Sequence, residues 1–109
     1  MVSITRAADD RGIILAAPLS YNALVGVVQC LSLARSTRGE AETLRAKLWP
    51  YMQAAGDADP QQARVPCDAL RAATHCLRKW RTATATTLWD DRDDAELSDA
   101  WRDGLNAPS

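Results

Sequence analysis

The sequence has no phenylalanine, a single histidine, only two lysines and three cysteines in its 109 residues. Each scarcity removes something. Without phenylalanine, and with alanine the commonest apolar residue, core bulk falls to leucine, valine, isoleucine and the four tryptophans Trp49, Trp80, Trp89 and Trp101. His75 is the sole imidazole, and no motif around any serine or cysteine marks a nucleophile, so nothing assembles a nucleophile, a base and an orienting group. The five glycines, Gly12, Gly26, Gly39, Gly56 and Gly104, are too scattered to form a phosphate-cradling loop. The three cysteines, Cys30, Cys67 and Cys76, cannot all pair within one chain and lack a disulfide-framework spacing, which points to a reducing, cytoplasmic setting.

A zinc site needs four converging ligands. His75 and Cys76 are adjacent, so on a helix they diverge by about 100°, and beyond Cys67 only Cys30 is left to complete a set. Late acidic residues are abundant, but carboxylates around a helix start have an ordinary explanation in the helix dipole. We therefore expect no enzyme, no metal and no cofactor.

No charge occurs from Gly12 to Ala34, a stretch long enough to cross a bilayer at about 1.5 Å per residue. Pro18, Ser20, Tyr21, Asn22 and Gln29 interrupt it, which suits two shorter buried elements better than one span, and no membrane partner is expected. The opening segment carries Asp9 and Asp10 where a secretory leader has only bases, so no leader is expected either.

What is present is the composition of a soluble globular domain, 47% hydrophobic and 25% charged. The expected class is all-α: a single-domain bundle of about four helices over residues 19–105. A short N-terminal extended arm or β-hairpin (1–18) precedes it and a tail (106–109) follows. From Ser20, Tyr21, Leu24, Val28 and Leu31 share one face and Val27, Cys30 and Ala34 widen it, so this helix should be central. Thr37-Arg38-Gly39-Glu40 has the capping-box spacing and should open a second helix, which Pro50 should kink or divide and Gly56 should end. A third helix should start near Pro66 and run towards Leu88, loosening in the Thr-Ala alternation of 82–88. Asp93 with Glu96 should cap a last helix that buries Leu97, Trp101 and Leu105 and stops at Gly104.

The net charge of −1 hides an asymmetry. Basic and acidic side chains balance through residue 59, five bases face one acid over 60–89, and two face seven from residue 90 onwards. On the third helix Arg71, His75 and Arg78, with Lys79 beside them, form a cationic ridge that could follow phosphates. A helix-turn-helix through Arg35-Ser36 is weaker, because Arg38, Arg45 and Lys47 alternate with Glu40 and Glu42. On the last helix Asp90, Asp91, Asp93 and Asp94 crowd the start, and Glu96, Asp99 and Asp103 line the side opposite Leu97, Trp101 and Leu105.

By spacing Trp80 and Trp101 belong to the core; of Trp49, which precedes a proline, and Trp89, next to the acids, one is expected to be exposed, and Trp89 is the one expected at an interface. The leading expectation is a noncatalytic protein-binding module, an inhibitor or regulator, that meets a basic surface through Trp89, Asp90, Asp91, Glu96, Asp99 and Asp103. Size and the lack of a catalytic signature match the category of small phage and bacterial conflict proteins, such as anti-CRISPR and toxin-immunity proteins. The alternatives are a nucleic-acid-binding regulator using Arg71, His75, Arg78 and Lys79, and a homodimer held by an apolar helix face.

Overall fold

The computed structural model describes residues 15–35 and 39–106. Their order is β1 (Ala16–Ser20), α1 (Tyr21–Ala34), α2 (Gly39–Asp57), β2 (Gln62–Pro66), α3 (Cys67–Thr84) and α4 (Asp91–Asn106). Four helices thus build the described body, and β1 and β2 pair antiparallel with Ala17 opposite Val65 and Leu19 opposite Ala63.

The strand is where local sequence is least informative. The first strand's partner is the segment before α3, so the extended arm is tied across the molecule; residues 2–5, the other half of an N-terminal hairpin, lie outside the described residues. Alternation holds on β1, with Ala17 and Leu19 buried and Pro18 and Ser20 exposed. Pro18 and Pro66 are tolerated because each strand of a two-stranded sheet keeps one unpaired edge. The Arg64 guanidinium donates to the Ala16 carbonyl at 2.8 Å, and the Cys67 amide donates to Leu15 at 2.9 Å, which carries the ladder into α3.

Ser20 ends β1 and starts α1: its extended backbone leaves Oγ free to accept the Ala23 amide at 3.1 Å. Leu24, Val27, Val28, Cys30, Leu31 and Ala34 are buried, and α1 packs on each of the other three helices and on β1. It is the central element, as its uncharged circumference predicts. Its Val25, Gln29 and Leu33 side nevertheless stays partly or fully exposed.

α2 carries Glu40 and Glu42 in its first turn, where they complement the helix dipole. The capping-box residues Thr37 and Arg38 lie outside the described residues. Pro50 does not divide this helix. The proline removes the bond to the Ala46 carbonyl, but Ala46 and Pro50 both face solvent, so water can serve the freed oxygen.

α3 ends at Thr84, short of the expected Leu88, on Ala85 in the left-handed region (φ 53°). α4 departs from expectation at both ends. Its cap is Asp90, whose carboxylate accepts the Asp93 amide at 2.8 Å, one turn before the expected Asp93. It also runs past Gly104 to Asn106. Gly104 is no terminator: a Cβ there would sit 2.6 Å from Cys67 Sγ and 3.0 Å from Ala17 Cβ, so the glycine permits α4 to lie close against β1 and the start of α3. Of the expected inward stripe Leu97 is buried, Trp101 half-buried and Leu105 exposed; at this end of α4 the residue turned inward is Gly104.

Candidate functional site

The four aspartates at the start of α4 look alike in sequence and do different things. Asp90 is the cap, and the backbone amides it accepts hold its carboxyl below the usual range. Asp91 pairs with Arg81 at 2.7 Å, but its side chain is 92% exposed, so this contact contributes little. Asp94 takes a bidentate grip from Arg78, Nε at 2.9 Å and Nη2 at 2.8 Å, and also accepts the Trp89 indole N–H at 3.3 Å. Arg78 continues to Ser98 Oγ at 2.9 Å. Asp93 lacks an ion pair among the described residues.

Trp89 is therefore not an exposed anchor. It is 2% exposed, correcting the expectation from its acidic neighbourhood. A buried indole needs an acceptor for its N–H, and an aspartate five residues on supplies one. The tryptophan in solvent is Trp49, at 40%.

The Arg78 hydrogen bond is the main reason the Asp94 carboxyl is held below its ordinary value of 3.8; partial burial opposes it, and the Trp89 bond and the Arg78 and Arg81 charges assist. A depressed acid stabilises the fold fully above its unfolded value and loses that contribution as pH falls through the folded value. Asp94→Asn is accordingly expected to be less stable than wild type near neutrality by about 1 kcal/mol, the Arg78 side being well exposed. Urea melts at falling pH should show this gap closing below pH 3.8. A gap independent of pH would mean that the ion pair contributes nothing.

The cationic ridge of α3 is spent in part on α4. Arg78 and Arg81 hold aspartates, and the Arg71 guanidinium lies 5.7 Å from the Trp101 ring, which Arg102 also approaches at 5.4 Å. Trp101 in turn donates to Thr74 Oγ1 at 3.1 Å. Arg71, His75 and Lys79 remain exposed. Of the ridge expected for phosphates, only Arg78 is consumed by an ion pair among the described residues; with the neighbouring Arg81 it makes the α3–α4 contact an intramolecular seam, where the two charge signs are not on separate surfaces.

Beyond the seam the acids are free. Glu96, Asp99 and Asp103 are exposed and have no ion pair among the described residues. Arg92, at the head of the same stripe, leaves it net negative.

Two concavities flank α1. A recess of about 170 Å³ lies between α1 and the start of α4, and Asp93 and Glu96 are on its wall. A broader groove of about 640 Å³ runs between α1 and α2, where Val25, Leu33, Trp49 and Met52 line it. Sequence reasoning foresaw neither as a concavity. The signal for the α1–α2 groove is the uncharged side of α1, which centrality alone also explains.

The three cysteines are buried, and none is in a disulfide. Burial, and then the charge of Asp93, push Cys30 up to about 11; burial also raises Cys67. Such thiols are poor nucleophiles. Among the described residues no group of three or more histidine, cysteine or acidic side chains is arranged to hold a metal, and no helix is long and apolar enough to cross a membrane. No family model, curated protein or solved structure matches the chain.

Proposed function

We propose that this protein is a noncatalytic binding module, an inhibitor or regulator of a larger protein, whose α4 presents Glu96, Asp99 and Asp103 to a basic surface. The observation that carries the reading is the division of labour on α4: Asp90, Asp91 and Asp94 are engaged within the chain, whereas these three face solvent with no ion pair among the described residues. A like-signed stripe on a rigid helix accelerates encounter with a cationic partner and repels acidic ones. Small inhibitors of phage and bacterial conflict systems, anti-CRISPR and toxin-immunity proteins among them, form the category of matching size.

Reversal of the stripe, Glu96→Lys with Asp99→Lys and Asp103→Lys, is expected to abolish partner capture from a native lysate at low salt. The thermal melt should shift little, since all three are exposed and make no ion pair among the described residues. Capture undiminished in a folded triple variant would end the acidic-face reading.

A second reading, self-association, is favoured by one observation: Leu33 is 53% and Trp49 40% exposed beside the α1–α2 groove. Sedimentation is the direct measurement. If that groove is an interface between copies, wild type sediments as a dimer and Trp49→Ala with Leu33→Ala as a monomer; a monomeric wild type removes the reading.

A further inference from the structure

The recess between α1 and α4 is a fitted space with a mixed wall. At about 170 Å³ it is smaller than the roughly 300–1,000 Å³ of pockets that hold cofactors and drug-sized ligands, so it suits the end of one side chain. Its inner wall is apolar, with Leu19, Val27 and Leu97 all buried. Its outer wall is polar, with exposed Asn22 and Glu96 and half-buried Asp93.

Charge decides what complements that wall. On the same turns of α4, Asp91 and Asp94 already hold Arg81 and Arg78, whereas Asp93 and Glu96 have no ion pair among the described residues. Arg92, the neighbouring cation, makes no ion pair with either carboxylate among the described residues. Residues three apart on a helix are surface neighbours, so the two carboxylates stand side by side over an apolar floor. A side chain with an aliphatic stem and a flat cationic head matches both parts, and a guanidinium can donate to two carboxylates at once.

Gly26 supplies an independent reason to regard the recess as open by construction. A glycine in mid-helix costs about 1 kcal/mol relative to alanine, and at Gly104 a steric need explains it. At Gly26 there is none: an added Cβ would meet nothing within 4 Å. What the missing side chain leaves is free access to the recess it lines.

We infer that this recess receives an arginine side chain of the protein partner, with its stem on Leu19, Val27 and Leu97 and its guanidinium between Asp93 and Glu96. The inference rests on the acidic-face reading and names what that face grips. An arginine-rich nonapeptide and its citrulline counterpart, of equal shape and no charge, are the probes, titrated calorimetrically against four forms of the protein. Wild type should bind the arginine peptide and ignore the citrulline one. Gly26→Met, which fills the recess and leaves every carboxylate in place, should weaken binding by about tenfold, the scale of one charge-assisted contact, while melting no lower than wild type. Asp93→Asn should weaken it similarly if Gly26→Met does not fold. Asp99→Lys with Asp103→Lys should lower affinity only in a salt-dependent way.

Unchanged affinity in both Gly26→Met and Asp93→Asn overturns the arginine site. If Asp99→Lys with Asp103→Lys then still loses the peptide, the acidic face stands without the recess. Failure of wild type to bind the arginine peptide at low salt overturns both.

Discussion

Trp89→Ala is expected to lose about 3–5 kcal/mol, a large part of what holds a domain of this size together. The indole is 2% exposed and its N–H is bound to Asp94, so truncation opens a cavity and removes one donor from a carboxylate that also serves Arg78. Trp89→Phe separates the two parts: it restores most of the volume without the N–H and should cost about 1 kcal/mol more than a mere fit penalty. The urea midpoint measures both. A surface anchor would behave otherwise, with a change within about 0.5 kcal/mol in stability and a loss of partner capture. That outcome would contradict the packing of the 85–90 loop.

Gly104→Ala is expected to destabilise by about 1–3 kcal/mol, against the ordinary preference of helices for alanine. The obstacle is Cys67 Sγ at 2.6 Å, with Ala17 Cβ at 3.0 Å and the Ala16 carbonyl at 3.3 Å behind it. Backbone and a strand alanine cannot swing aside as a long side chain would, so α4 must move off the sheet. Gly26→Ala, with open space around its new methyl, should instead gain up to about 1 kcal/mol. Thermal denaturation of the two variants should therefore shift in opposite directions. Cys67→Ala in the Gly104→Ala background should recover part of the loss, because it removes the nearest atom of the clash; additivity of the two substitutions would refute that contact.

These residues also show how far sequence reasoning reaches. The helices α1 and α3 are legible because their apolar spacing repeats over several turns, and Pro66 and Ser20 mark their starts. The cap of α4 is not, since four aspartates within five positions each offer a capping carboxylate and periodicity does not rank them. β2 escapes because Gln-Ala-Arg-Val-Pro buries only Val65 fully, and its partner lies 48 positions away. Adjacency to acids suggests that Trp89 is exposed, whereas one of those acids is what allows its burial. The candidate face is half legible: the stripe of Glu96, Asp99 and Asp103 follows from helical spacing, but which aspartates are consumed by Arg78 and Arg81 depends on how α3 lies against α4.

Pairing of Ala17 with Val65 makes the two strands a clasp around the α1–α2 arm. Closing so long a loop of disordered chain is entropically costly, and the cost falls once the two helices have formed and brought its ends near. Strand pairing is thus expected late in folding, after the arm has collapsed. The amides of Leu19 and Val65 then become reporters of the last cooperative unit to close and the first to open in hydrogen exchange.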